Sequence, residues 1–320
     1  MDNLSTFTLL ESLSWHDYEL LDSGDGLKLE RFGPYTFIRP EVQAMWKRVL
    51  NEEEWTKAHA TFQSTNEESG GHWVFRKKVP DRWEMKYDLA PSPNSFRVGE
   101  RKQLRFWVMT TPGRHLGVFP EVASHWDFIK ETIQKANLRQ GQGETRSIKV
   151  LNLFGYTGLA SLAAASAGAQ VTHVDASKKS INWARENQAL SKLENKPVRW
   201  ILDDAVKFVE REGRRGARYD GIILDPPKFG RGPKGEVWEV YKSLPQLLED
   251  CRAILNDNPL FVIVTVYAVK ASAIHIGQAL QEMVSDINIK GRMDYGELVT
   301  RERSAARLIS QAVYARWRSD

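Results

Sequence analysis

Short apolar runs alternate with amphipathic stretches along the C-terminal two-thirds of the chain. Buried strands are predicted for the runs IKVLNLF, QVTHVD, VRWIL, YDGIILD and LFVIVTV. Helical periodicity marks segments between them, such as LASLAAASAG and SKKSINWARENQALSK. Strands that alternate with helices predict an α/β fold with a parallel, doubly wound sheet. The last two apolar stretches, DYGELVTRE and ISQAVYARWR, predict a C-terminal antiparallel hairpin.

The first part of the chain has a different pattern. Alternating apolar and polar residues, separated by Gly and Pro, predict strands in GLKLERFGPYTFIRP, HWVFRKKV, DRWEMKYDL and KQLRFWVMT. Helical periodicity predicts one helix at 41–59 and another at 121–136, where the pattern changes. We therefore divide the chain into a smaller β-rich accessory domain, residues 1–120, and an α/β domain, residues 121–320. The accessory domain would bind the substrate or act as a lid.

Composition narrows the class of protein. The 320 residues are 42% hydrophobic and 27% charged, as expected of a folded protein with one or two domains. No window is apolar enough for a membrane span, and the N-terminus lacks the pattern of a signal peptide, so we expect a cytoplasmic protein. A single cysteine excludes an intrachain disulfide, and seven scattered histidines have no ligand spacing, so we expect no metal site.

The charge is unevenly distributed along the chain. The net charge is +4, with −5 in residues 1–100 and +9 in residues 101–320. A basic C-terminal part is compatible with a nucleic-acid partner, although a solvated surface explains the same excess. Six of the eleven tryptophans precede residue 110. Core packing is the favoured interpretation for them, and base stacking is the alternative.

The first predicted strand of the α/β domain runs into a loop with two glycines. Gly155 and Gly158 would let a ligand approach the backbone and let the next helix start close to the sheet. The following strand ends in Asp175, which can accept hydrogen bonds from both hydroxyls of a ribose. The chain lacks GxGxxG and GxxxxGK[ST] at this position, which favours a nucleoside bound without a pyrophosphate.

Two further acidic motifs follow later strands. Leu202-Asp203-Asp204-Ala205 offers a carboxylate and a backbone N–H to an adenine ring. Asp225-Pro226-Pro227-Lys228-Phe229 follows the fourth strand. Both lie where open α/β sheets bind ligands, at the C-terminal edge.

In this order the motifs resemble class I S-adenosylmethionine-dependent methyltransferases, over about residues 148–265. Within that class, LNLFGYTG, VDASKKSINWARENQ, DPPKFGRG and HLGVFPE resemble the branch that methylates large-subunit ribosomal RNA. The resemblance implies a Rossmann-like sheet and S-adenosyl-L-methionine as cofactor. Phe154, Gly155 and Gly158 would border its methionine part. Asp175 would hold the ribose, and Asp204 with Ala205 would hold the adenine, Asp203 being the alternative. The resemblance also implies cofactor contacts for Phe119, Tyr156, Thr157 and Ala176.

The Asp-Pro-Pro motif is the predicted catalytic site. Asp225 and the Pro226 carbonyl would accept the hydrogens of an exocyclic base amine, which draws its lone pair towards the methyl group. Pro227 would keep the turn rigid, and Phe229 would stack on a base that has been flipped out of its helix. The alternative is that the motif only ends a strand. The sequence departs from the usual amino-methylating motif because Lys228 precedes the aromatic residue.

The same DPPKF form occurs in relatives that methylate cytosine at C5 through a cysteine thiolate. Those relatives carry the cysteine after the fifth strand, whereas residues 252–320 of this chain contain none. Cys251 lies in the preceding predicted helix. We therefore expect a reaction without a covalent cysteine intermediate.

The residues around this motif suggest how the acceptor is held. Lys228, Arg231 and Lys234 interleave with glycines in a loop that would contact phosphates, although a solvated loop is an equal alternative. Tyr267, at the end of the fifth strand, would line the acceptor pocket or pack. The resulting hypothesis is a methyltransferase acting on a ribosomal RNA base. The alternatives are a small-molecule or protein methyltransferase and a non-catalytic cofactor-binding protein that recruits partners.

Overall fold

The computed structural model describes residues 5–12, 15–65, 70–90, 102–139, 147–267, 270–285 and 289–320. In the N-terminal part the elements are β1 (Ser5–Glu11), β2 (Tyr18–Gly24), β3 (Leu27–Phe32), β4 (Tyr35–Pro40), α1 (Glu52–Thr56), β5 (Ala60–Ser64), β6 (Gly71–Phe75), β7 (Trp83–Asp88) and β8 (Gln103–Val108). A turn of 3-10 helix, Pro120–Val122, then leads into α2 (Ala123–Arg139).

The C-terminal part alternates strands and helices as predicted. Its elements are β9 (Lys149–Leu153), α3 (Leu159–Ser166), β10 (Gln170–Asp175), α4 (Lys178–Leu190), β11 (Val198–Leu202), α5 (Ala205–Arg214), β12 (Gly221–Leu224), β13 (Phe229–Arg231), β14 (Val237–Glu239), α6 (Val240–Ala253), β15 (Phe261–Val266), α7 (Ala273–Ser285), β16 (Gly291–Arg301) and β17 (Leu308–Ser319).

Eight of these strands form one sheet in the order β1-β16-β17-β15-β12-β9-β10-β11. The strands from β15 to β11 are parallel, and β17 pairs antiparallel with both β15 and β16. Helices cover both faces, because alternate residues of each central strand point to opposite sides. Leu151 packs with residues of α5, α6 and α7, whereas Val150 packs with residues of α2 and α3. The predicted α/β sheet and C-terminal hairpin are confirmed.

The N-terminal region forms a five-stranded sheet, β2-β3-β4-β5-β6, and a separate pair, β7-β8. Its first strand lies elsewhere, because β1 pairs in parallel with β16 at the edge of the large sheet. Trp15 contacts Trp126 of α2 at 5.5 Å between ring centroids, within one apolar cluster that joins both halves. A division of the chain at residue 120 stays a prediction, and β1 crosses it.

The predicted helix at 41–59 is wrong apart from α1, which covers only Glu52–Thr56. A buried carboxylate accounts for the difference. Asp22 accepts hydrogen bonds from the backbone N–H groups of Val49 (3.2 Å) and Leu50 (2.9 Å) and from the indole of Trp55 (3.0 Å). Since those amides bind a side chain, they do not donate to helical carbonyls.

Most N-terminal tryptophans pack in the interior, in line with the favoured interpretation. Trp15, Trp55 and Trp83 are buried, and Trp73 and Trp107 are half-buried. Trp73 donates through its indole N–H to the carbonyl of Thr111 at 2.8 Å. Trp15, Trp55, Trp73 and Trp83 therefore pack in apolar clusters, whereas the ring of Trp107 lies against the guanidinium of Arg82 at 4.4 Å.

Candidate active site

A cavity of about 540 Å³ opens at the carboxyl ends of β9, β10, β11 and β12, within the size range of ligand sites. The large sheet positions it there because the loops after parallel strands meet at one edge. The predicted site residues that line the cavity are Phe119, Phe154, Gly155, Tyr156, Thr157, Gly158, Asp175, Ala176, Asp203, Asp204, Ala205, Asp225, Pro227, Lys228, Arg231 and Tyr267. Three predicted residues, Pro226, Phe229 and Lys234, do not line it.

The loop after β9 has an unusual backbone. Phe154 and Tyr156 have φ angles of 57° and 49°, in the left-handed region that residues with side chains seldom adopt. Such residues cost on the order of 1 kcal/mol each and cluster at functional sites. A backbone hydrogen bond anchors the loop to β10, since the N–H of Gly155 donates to the carbonyl of Val174 at 3.0 Å.

The two glycines of this loop are required by their neighbours. A Cβ on Gly155 would lie 2.4 Å from the His173 ring, which is itself completely buried. A Cβ on Gly158 would lie 2.8 Å from the Cβ of Ala184 in α4. The sequence suggested close approach of a ligand, and the structure adds close packing of the loop on β10 and α4.

Replacing Gly155 by alanine is therefore expected to destabilise the protein by about 1–3 kcal/mol, the usual cost of overpacking a rigid core. The matched control is Gly213→Ala in α5, where the new Cβ meets only Ile254 Cγ2 at 3.8 Å. That change should stabilise the helix by about 1 kcal/mol. Urea unfolding of both variants measures the difference. A Gly155→Ala protein as stable as the original would contradict the packing argument.

Asp175 ends β10 beside this loop. Its two oxygens accept hydrogen bonds from the backbone N–H groups of Tyr156 and Ser177, both at 2.8 Å. Burial raises the pKa of this carboxyl, and the two amide donors oppose that shift. The Ser180 side chain also hydrogen-bonds this carboxyl, and because a carboxylate has about four acceptor positions, capacity remains for a ligand.

The acidic pair after β11 is already engaged within the chain. Asp204 caps α5, accepting from the N–H of Lys207 at 3.0 Å. Asp203 forms an ion pair with Arg211 and accepts from the N–H of Asp204 at 2.9 Å. Asp204 is thus the N-cap of α5, and both residues border the cavity.

Asp225 lies at the inner end of the cavity, after β12. It is partly exposed there, but its Oδ1 atom is enclosed and has no hydrogen-bond partner in the described part of the chain. Burial, with a smaller contribution from Glu121, raises the pKa of Asp225 to about 8. The hydroxyl of Tyr267 is enclosed and unpartnered in the same described ranges. An unpaired buried polar atom costs about 1–3 kcal/mol, so these groups are candidates for binding a ligand.

The segment after Asp225 forms a hairpin of β13 and β14. The pairs Phe229–Glu239 and Arg231–Val237 face each other across it, so these four side chains share one face. Trp238 lies on the opposite face, lines the cavity and packs on Phe154 with ring centroids 4.8 Å apart.

This geometry corrects the expected position of Phe229. The side chain is 61% exposed on the outer face of the hairpin and does not reach the cavity where Asp225 lies. The inner position that an aromatic residue would need is occupied by Trp238, whose indole N–H donates to the Pro227 carbonyl at 2.7 Å. The sequence showed that Lys228 stands between the prolines and the aromatic residue, but it did not show on which face of the hairpin Phe229 lies.

Some cavity residues were not identified from the sequence. Trp238 lies outside every motif identified from the sequence, and Asn152 belongs to the LNLFGYTG motif but was given no role. His115 and His125 precede β9 in sequence, and both line the cavity. Burial, followed by Arg39 and Arg114, lowers the pKa of His115 to about 4, so its ring is neutral. Its contact with the Tyr156 ring joins the N-terminal region to the glycine loop.

The single thiol lies away from this cavity. Cys251 is completely buried in α6 and is not among the cavity residues. Burial raises its pKa, which opposes formation of a thiolate. Within the described residues, no cluster of His, Cys, Asp and Glu is arranged to hold a metal ion. In the same ranges, the helices are too short or too polar to cross a bilayer.

The comparisons with known proteins agree with this geometry. The family profile of S-adenosylmethionine-dependent methyltransferases matches residues 131–280. A solved structure, the S-adenosylmethionine-dependent methyltransferase from Agrobacterium tumefaciens, is 41% identical, with a TM-score of 0.85. That match covers 99% of this chain and 95% of the Agrobacterium chain. The chain therefore belongs to the S-adenosylmethionine-dependent methyltransferases and uses that cofactor.

Curated relatives share only part of their length with this chain. The ribosomal RNA large subunit methyltransferase K/L of Hahella chejuensis is 30% identical over 197 residues, which are 60% of this chain and 25% of that protein. The ribosomal RNA large subunit methyltransferase I of Escherichia coli is 28% identical over 164 residues, or 49% of this chain and 38% of that protein. The methyltransferase is thus related to enzymes named for ribosomal RNA.

Proposed function

We propose that this methyltransferase modifies a base of ribosomal RNA at a nitrogen atom, without a covalent cysteine intermediate. The observation that carries the proposal is Asp225, a carboxyl at the inner end of the cavity with an unpartnered oxygen. The names of the Hahella and Escherichia relatives support the RNA acceptor. Cys251 is completely buried and is not among the residues that line the cavity, which supports the absence of a thiolate step.

The residues at the mouth and walls of the cavity fit the cofactor. Phe154, Gly155 and Gly158 would border its methionine part, and the remaining acceptor capacity of Asp175 would take the ribose hydroxyls. Asp203 pairs with Arg211 and Asp204 caps a helix, so adenine contacts would use their remaining lone pairs and the backbone at Ala205. The other wall contacts would come from Phe119, Tyr156, Thr157 and Ala176.

The chemistry required of the protein is mainly alignment. When bound, S-adenosylmethionine supplies an activated methyl group on a sulfonium. Asp225 would accept an N–H of the incoming amine, which directs the nitrogen lone pair away from the ring and towards the methyl. The proton released from nitrogen would pass to the same carboxylate. Tyr267 would bind the base through its unpartnered hydroxyl.

The direct test supplies methyl-labelled cofactor and total RNA from a strain that lacks the gene, then maps the labelled nucleoside. Label in one ribosomal RNA position, carried on a base nitrogen, is the expected result. Label on C5 of cytosine would overturn the proposed chemistry. Label found only in a protein or metabolite fraction of the same extract would overturn the RNA acceptor.

Trp238 is expected to position the Asp-Pro-Pro turn. Trp238→Phe removes the hydrogen bond to the Pro227 carbonyl, worth about 1 kcal/mol, and should lower kcat by up to about tenfold. The matched control is Trp46→Phe, which removes an indole hydrogen bond to the Ser23 carbonyl at 3.1 Å, outside the cavity. Steady-state kinetics should show no loss of kcat for the control. An equal loss in both variants would argue against a positioning role for Trp238.

A further inference from the structure

The β13–β14 hairpin exposes an apolar surface next to the mouth of the cavity. Phe229 is 61% exposed and Val237 is 64% exposed, on the outer face that points away from Trp238. Gly230, Arg231 and Gly232 of the same hairpin border the cavity. Two exposed apolar side chains on one face beside an active site form a candidate contact surface, because burying them would stabilise a complex.

The charge around this apolar surface is positive. Arg231 shares the outer face with Phe229, and Lys234 lies exposed at the turn. The two acidic residues of the hairpin are engaged already. Glu236 pairs with Lys207 at 2.6 Å, and Glu239 pairs with Lys242 at 2.6 Å.

The turn of the hairpin also leaves open space beside its backbone. Gly235 has a φ of 90°, a left-handed conformation, and a Cβ there would meet no atom within 4 Å. The backbone is thus open at the point where Lys234 is exposed. Basic side chains on a glycine-containing turn suit contact with phosphates.

From these features we infer that the outer face of the hairpin binds unpaired nucleotides that flank the methylated base, with Phe229 stacking on one base and Arg231 contacting a phosphate. The inference rests on the proposed RNA acceptor. A base that enters the cavity leaves its chain neighbours at the mouth, where the hairpin stands. Stacking on an aromatic ring is tolerant of sequence, and the adjacent cations follow the backbone, as in single-strand binding sites generally. A duplex cannot use Phe229 in this way, since its bases are already stacked.

The test measures binding and does not depend on turnover. Fluorescence anisotropy would follow a labelled single-stranded RNA 12-mer and the matching duplex, with the protein saturated in S-adenosylhomocysteine. Phe229→Ala should weaken single-strand binding by about tenfold, since one base stacked on an aromatic is worth about 1–3 kcal/mol. Phe229→Trp should restore it. The control Phe75→Ala removes a ring that is 50% exposed on β6 and should leave the affinity unchanged.

The salt dependence of binding distinguishes the stacking contact of Phe229 from the phosphate contact of Arg231. Phe229→Ala should leave the slope of log affinity against log salt unchanged, whereas Arg231→Ala should reduce it by about one. Single-strand binding that is equal in Phe229→Ala and the original protein would overturn the inference, and so would equal loss of duplex and single-strand binding. Weak RNA binding of every variant with label found in a protein substrate would overturn the proposed function instead. A tight, Phe229-dependent single-strand complex without methylation would support the surface and refute only the proposed reaction.

Discussion

Asp225→Ala is expected to reduce methyl transfer by about a thousandfold while cofactor binding stays near its original strength. The carboxyl is the group that would accept the amine N–H and then the released proton, and loss of a positioned base costs about 10²–10⁴ in rate. Truncation to alanine removes both oxygens and leaves the Pro-Pro turn in place. Single-turnover assays with RNA measure the rate, and calorimetry with S-adenosylhomocysteine measures the affinity.

Asp225→Asn separates hydrogen bonding from proton transfer. The amide keeps one oxygen that accepts an N–H, but it does not ionise. This variant should therefore retain more activity than Asp225→Ala. A folded Asp225→Ala protein with full activity would remove the residue from the reaction.

The pH profile gives the same assignment independently. Burial raises the pKa of Asp225 to about 8, so the carboxyl is mostly protonated and poorly accepting below that pH. For the free enzyme, kcat/KM should therefore rise with pH through a midpoint near 8 and level off above it. The positive sulfonium of the cofactor favours the carboxylate and moves this rise to lower pH. Asp225→Asn should lack the rise altogether. A rise of the same midpoint in that variant would assign the titration to another group.

The parallel sheet was predictable because its strands are continuous apolar runs. Strands such as Phe261–Val266 are buried along their whole length, so their boundaries follow from composition alone. The helix expected at 41–59 was not predictable in the same way. Backbone amides in this segment bind Asp22, which is 27 residues away from Val49 in the sequence. Local periodicity does not predict a contact over such a separation.

The candidate site was predictable where a motif ends a strand. Asp175 ends β10 and Asp225 follows β12, and topology alone brings such positions to one edge. Phe229 was not placed correctly, because the alternation of a short hairpin depends on its register with Glu239 and Val237. Trp238 was missed for the same reason. Its role follows from a hydrogen bond to the Pro227 carbonyl across the hairpin. The spacing of residues in the sequence does not predict such a contact.

Asp175→Ala is expected to weaken cofactor binding by about a hundredfold, which corresponds to about 2.7 kcal/mol. Loss of ribose hydrogen bonding to an ionised carboxylate accounts for that amount, since a single hydrogen bond to a charged group is worth about 1.5–3 kcal/mol. The change also releases the backbone N–H groups of Tyr156 and Ser177, so part of the loss would come from a less ordered glycine loop.

Asp22→Ala is the matched control for this second effect. Asp22 likewise accepts from two backbone amides, those of Val49 and Leu50, but it lies in the N-terminal sheet outside the cavity. Calorimetric titration with S-adenosylhomocysteine and thermal unfolding should be measured on both variants. Both should lose stability, because each leaves amides without their acceptor. Only Asp175→Ala should lose affinity, and an affinity that falls equally in Asp22→Ala would show that general destabilisation, and not the ribose contact, weakens binding.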